Sequence, residues 1–214
     1  MASRKLIHVY ACLLWMLGVL PLPSVAAEFA VLVVDQQGMP VANAVIESPG
    51  VAVTKAPMEI AIIDQVNKRF VPMVIAIQKG QSVNFPNKDN IRHHVYSFSS
   101  IKQFSTELYA DIPGDPVIFE QSGLAVLGCN IHDSMVGYIY VSEWQNVTTS
   151  DASGLVRFKQ SAIPEEIVIW HPWSNDEDNR RTVSTATVSE GGTLEVQLNI
   201  TNPERAFGFR ALRD

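Results

Sequence analysis

The sequence predicts an all-β protein of β-sandwich architecture. Short runs rich in Val, Ile, Phe and Tyr recur along the chain, Gly and Pro turns separate them, and no window sustains a helical period. A chain of 214 residues accommodates one large sandwich or two small ones.

The first segment reads as a leader. Arg4 and Lys5 precede an apolar run from Val9 to Leu20, and Pro21, Pro23 and the small residues Ser24-Val25-Ala26-Ala27 suit a signal peptidase. The run is shorter than the ~20 apolar residues a membrane span needs. Residues 1–27 are therefore expected to be a cleaved signal peptide, leaving an exported, periplasmic protein without a membrane span. An uncleaved N-terminal anchor is the alternative.

Strand signals then follow one another. "FAVLVVD" is an apolar run closed by the turn "DQQGMP", and "VANAVIES" alternates until Pro49-Gly50. "MEIAIID", "VPMVIAI" and "QSVNF" come next, the last two divided by Lys79-Gly80. "HHVYSFS" alternates, followed by "PVIFE", "GLAVLGC" and "VGYIYVSEW". Beyond the polar stretch 146–154, "LVRF", "EEIVIW", "TVSTATV" and "TLEVQLNI" complete the set. The shift in composition over "WQNVTTSDASG", 144–154, is the best internal boundary.

Charge and cysteine usage narrow the function. The formal net charge is −6, and loss of the leader removes Arg4 and Lys5 but no acid. That balance, with no basic stripe, argues against a nucleic-acid partner. It suits solubility, or docking to a basic partner surface. Of the two cysteines, Cys12 leaves with the leader, so Cys129 has no internal disulfide partner. A lone thiol in an oxidising compartment is a chemical liability unless something protects it. Metal ligation would.

The stretch "GCNIHDSMVGYIYV", 128–141, sets Cys129, His132 and Met135 at three-residue intervals before a strand. On a helix such a stripe would be core. Gly128, Asn130, Asp133 and Ser134 disfavour a helix, however, and a loop between two strands fits better. A thiolate, imidazoles and a thioether suit copper, and two histidines, one cysteine and a weak axial methionine describe an electron-transfer centre. His93 and His94, at the start of an alternating strand, offer the second imidazole. Structural zinc on Cys129, His132, His93 and His94 is the rival metal reading.

These residues carry a resemblance. "VNFPNKDNIRHHV" followed by "CNIHDSM" resembles the cupredoxins, the small blue copper proteins, and Cys-x2-His-x2-Met is similar to the short amicyanin-type ligand loop. "AIQKGQSVNFPNKD" resembles the family's lead-in strand, and the likeness extends over 57–143. More narrowly, the chain is similar to exported cupredoxin-like proteins labelled methylamine utilization proteins. The resemblance implies a Greek-key sandwich holding copper through His93, Cys129, His132 and axial Met135. His94 falls where the family usually has a bracing asparagine; it replaces that brace, exchanges with His93, or adds a contact. Met73 is a weaker extra candidate, read in preference as strand core. Leu127, Ile131, Val136 and Phe85 are expected around the sulfur.

The flanks resemble a second small sandwich of the carboxypeptidase regulatory-like type. "VLVVDQQGMPVANAVIESPG" matches its opening, and the expected continuation appears only at "TSDASGLVRF" and "IPEEIVIWHPW". A sandwich of 28–52 and 146–200, interrupted by the copper unit, accounts for this, with 201–214 as a tail. The alternative is a separate C-terminal module. His171 in "WHPW" reads as a surface or packing residue, and "SNDEDNRR" as a solvated loop.

The functional expectation is a copper protein passing single electrons between redox protein partners, with His132 as the electron port by resemblance. A fully ligated site leaves no position for substrate, so the chain is read as a carrier and not as an enzyme. The alternatives are copper delivery, if His94 or Met73 gives an exchangeable contact, and a modified centre with an open coordination position.

Overall fold

The computed structural model describes residues 27–201 except residue 133, so the expected leader and tail lie outside it but for Ala27 and Thr201. Among the described residues there is no α-helix, and no helix is long and apolar enough to cross a membrane. The protein is all-β.

The first two strands are β1 (Ala27–Val34) and β2 (Val45–Ala52). A middle set follows: β3 (Ala61–Ile62), β4 (Asp64–Val66), β5 (Arg69–Val71), β6 (Val74–Gln78), β7 (Ser82–Asn84), β8 (Tyr96–Ser97), β9 (Phe104–Ser105), β10 (Val117–Ile118), β11 (Gly123–Leu127) and β12 (Gly137–Ser142). The last set is β13 (Trp144–Thr149), β14 (Leu155–Gln160), β15 (Glu166–Trp170), β16 (Arg180–Ser184) and β17 (Thr193–Gln197).

Strand pairing joins the two ends of the sequence. β1 lies between β14, antiparallel, and β17, parallel. β2 lies between β13 and β15, and β15 carries β16 at the far edge. Apolar side chains of both sheets, among them Phe29, Val31, Val33, Ile46, Phe158 and Ile169, make one core between them. The middle strands build another. β12 lies between β11 and β6, β7 lies between β10 and β3, and Phe70, Ile77, Phe85, Phe119, Leu127 and Ile139 fill the space they enclose. Cys129 and Met135 belong to this second core.

The cores meet through a third cluster. Tyr140 and Val74, on the outer face of the middle strands, pack against Val45 and Trp170. Buried Glu47 of β2 accepts hydrogen bonds here from the Tyr140 hydroxyl at 2.8 Å and from the Ser142 hydroxyl. Arg180 donates to the Tyr140 oxygen at 2.6 Å and lies over its ring. Burial, and then the Glu47 carboxylate, push the Tyr140 phenol pKa up, so it stays a neutral donor. A carboxylate buried between two layers is tolerated because each oxygen has a donor.

Three elements depart from the sequence reading. The stretch expected as a polar boundary, 144–154, begins with strand β13. β13 is an edge strand, half-buried along most of its length, and its Asn and Thr residues are the ones that made it look like a linker. The run "TVSTATV" forms its strand earlier, over Arg180–Ser184. "MEIAIID" breaks into β3 and β4, and β4 turns back on β5 through Asn67 and Lys68, both at positive φ (52° and 60°). Two successive left-handed residues make the tight turn whose twist matches a hairpin.

His171 is buried, as a packing residue, rather than on the surface. Its Nδ1 accepts from the Trp173 amide at 3.2 Å. Burial holds its pKa down to about 4, against a smaller upward pull from its hydrogen bond to the Ala42 backbone. The unfolded chain, with an ordinary value of 6.5, takes up this proton first. Stability is therefore complete above pH 6.5 and is lost as pH falls towards about 4, by at most on the order of 3 kcal/mol. Denaturant unfolding across that window should show this slope in the wild type and a flatter one in His171→Gln; equal slopes would refute it.

Candidate metal centre

Two segments far apart in sequence converge on Cys129. The first is the loop after β7. Buried Asn87 shapes it, donating from Nδ2 to the Ile91 and Tyr109 carbonyls and accepting from the Asp89 amide at 2.9 Å. His93 then pairs with Tyr109 through reciprocal backbone hydrogen bonds of 2.9 and 3.0 Å. Its ring is fully buried, with Nδ1 3.7 Å from the Cys129 sulfur.

The second segment is the end of β11. Gly128 and Tyr96 exchange backbone hydrogen bonds of 3.0 and 3.1 Å, which locks the His93 strand to the residue before Cys129. The Tyr96 ring lies over Gly128 so closely that a Cβ there would sit 2.5 Å from it. Only glycine fits. Beyond Cys129, the Met135 amide donates to the His132 carbonyl at 2.9 Å before β12 begins.

His93, Cys129 and His132 each offer a ligand atom, and these atoms lie within 4.8 Å of one another. The His93 and His132 rings are tilted, with centroids 5.4 Å apart. Buried Nδ1 of His132 has no hydrogen-bond partner among the described residues. An orphaned buried nitrogen beside a buried thiol and a second imidazole is a donor set chemically suited to a soft or borderline cation. Met135 is buried in the same core as Cys129 and lines, with it, a surface pocket of about 350 Å³.

The other candidates lie elsewhere. His94 is outside the cluster, with Nε2 on the Ser105 hydroxyl at 2.9 Å. Successive residues on extended backbone point to opposite faces, so His93 turns inward and His94 away. Met73 packs with Val45, Tyr140 and Trp170 where the two cores meet. Phe85 and Leu127 are buried with Cys129 as expected, whereas Ile131 and Val136 face outward.

Two further residues escaped the sequence reading. Asp89 accepts at 2.7 Å from Nε2 of His93, and its carboxylate also takes the amides of Asn67 and Lys68. Burial pulls the Asp89 pKa up, but the Lys68 amide, His93 and the Asn67 amide together hold it below the usual carboxylate value. An ionised carboxylate only accepts, so Nε2 carries the ring proton and Nδ1 presents its lone pair to the cluster. Tyr109 donates its hydroxyl proton to the Phe85 carbonyl at 2.7 Å, and Gln65 donates to its oxygen. Burial lifts its pKa to about 12, with a smaller upward contribution from Cys129, so the phenol stays neutral beside the site.

No protein-family model and no curated protein matches the chain. Solved structures resemble part of it. A copper-containing nitrite reductase from Thermus scotoductus SA-01 is 24% identical over 45% of this chain, with a TM-score of 0.38; the match spans 25% of the reductase. Amicyanin from Paracoccus versutus is 19% identical over 45% of this chain and 97% of its own, with a TM-score of 0.34. A purple cupredoxin from Nitrosopumilus maritimus is 25% identical over 41% of this chain and 100% of its own, with a TM-score of 0.33. The reading of the chain as a non-enzyme is corrected here. A copper-containing nitrite reductase is among the solved structures that resemble part of the chain. What the cluster can do follows from its own side chains.

Gly128→Ala should displace Tyr96 and loosen the seam between the two ligand segments. Denaturant unfolding should give a loss of about 1–3 kcal/mol. Gly114→Ala, where a Cβ meets nothing within 4 Å, should be nearly neutral; equal effects would discount the Tyr96 contact.

Proposed function

We propose that the chain holds copper through His93, Cys129 and His132, with Met135 as a weak axial sulfur, and passes single electrons between redox proteins. The observation that carries this reading is the largely buried cluster itself, with three ligand atoms from two distant segments within 4.8 Å and, among the described residues, no hydrogen-bond partner on His132 Nδ1. Copper, when bound, supplies the one-electron change. The protein supplies the rest. Buried Cys129 offers thiolate, Phe85 and Leu127 keep water from it, and paired backbone at Tyr96–Gly128 fixes the distance between segments. A donor set held by packing rather than by the ion keeps its shape when charge changes.

His132 is the port. Its ring is half-buried, in the turn that also exposes Ile131 and Val136, with exposed Phe98 and Val126 along the adjoining pocket. An apolar rim around a half-buried ligand suits brief docking of a redox partner. The leader-like sequence supports work in the periplasm. We also read the chain as a sandwich of 28–52 and 146–200 interrupted by the copper unit at 57–143. Pairing of β1 with β14 and β17, and of β2 with β13 and β15, supports this arrangement.

The pocket beside Cys129 and Met135 supports a second reading, a copper centre open to a small molecule. Azide added to the copper-loaded protein separates the two. A shifted absorption band favours the open centre, and an unchanged one favours the carrier.

The primary test is the visible spectrum of the copper-loaded protein beside Cys129→Ser. An intense thiolate-to-copper band present in the wild type and lost in the variant is expected. A wild type without that band would overturn the proposal.

A further inference from the structure

We propose that Asp89 is the residue that sets the redox balance of the centre, by holding His93 with Nδ1 presented to the metal and lending the ring negative charge. This inference rests on the copper reading above. The Asp89 carboxylate sits at a junction built for one purpose. Oδ1 takes the Asn67 amide at 2.6 Å, and Oδ2 takes the Lys68 amide at 2.9 Å and His93 Nε2 at 2.7 Å. The His93 side chain is fully buried and that of Asp89 nearly so (0% and 10% exposed), so solvent screens this contact little.

The carboxylate is held by a dedicated hairpin. The turn at Asn67 and Lys68 aims two successive backbone amides at one point, which its paired positive φ angles make possible. The hairpin is tied along the ligand loop by reciprocal contacts. The Gln65 amide donates to the Pro86 carbonyl and the Lys88 amide to the Gln65 carbonyl, each at 2.9 Å. Lys88 also pairs with Asp64 at 2.6 Å. The hairpin thus contributes no ligand atom yet fixes the orientation of one.

The consequence is electronic. A neutral acceptor on Nε2 would orient the ring equally well. An anion there also raises the basicity of Nδ1 and adds negative charge close to the metal, favouring the oxidised ion over the reduced one. Asp89 acts through His93 and is a positioning residue with a charge.

Redox titration of the copper-loaded wild type and Asp89→Asn, followed by the thiolate band, tests this. Asp89→Asn should keep the band and move the balance towards the reduced form, about tenfold or more at a fixed poise. An unchanged or opposite balance with the band intact would overturn the inference. A wild type lacking the band would instead remove the copper reading on which it rests. Should Asp89→Asn fail to fold, nitrogen-15 NMR of the metal-free wild type decides. His93 protonated on Nε2 supports the assignment, and protonation on Nδ1 overturns it.

Discussion

The whole site depends on a thiol and an imidazole being held together in a dry interior, 3.7 Å apart, by parts of the chain that have no covalent reason to meet. Cys129 follows β11 and His93 precedes β8, and the backbone pairing of Tyr96 with Gly128 ties the two segments together. A side chain at Gly128 would press on the Tyr96 ring and strain this pairing. Phe85, Leu127 and Met135 then pack in one core with Cys129, which is almost fully buried. Remove the seam between the two segments, and the three donors become an unrelated cysteine and two unrelated histidines.

The second dependence is on a buried anion at each end of the middle strands. Glu47 joins their outer face to the flanking sheet through Tyr140 and Ser142, and Asp89 joins their ligand loop to the hairpin at 67–68. In both places a carboxylate that would be costly alone is satisfied by several donors. Such junctions fix direction more than they add stability.

The sequence revealed the all-β class because strand runs and turn residues are local signals. It also drew attention to His93, Cys129 and His132, whose ligand atoms lie within 4.8 Å of one another, and to Met135 in the core that holds Cys129, since a lone thiol with nearby His and Met has a chemical rationale before any fold is known. It was silent on Asp89, because a loop has no periodicity from which to infer that residue 89 reaches residue 93, and the amides that grip it belong to another hairpin. It left His93 and His94 undecided, and alternation along the backbone resolves them only once the direction of the core is known. Strand β13 stayed hidden for the reverse reason. A half-buried edge strand is built from the residues that also build linkers.

One residue, Glu143, separates β12, in the middle set of strands, from β13, the edge strand of the flanking sheet. A junction so short leaves no slack for the two sheets to swivel, and the Glu47 contacts on either side act as pins. A load on the flanking sheet therefore passes through a one-residue link straight into β12, the strand that follows the His132 turn.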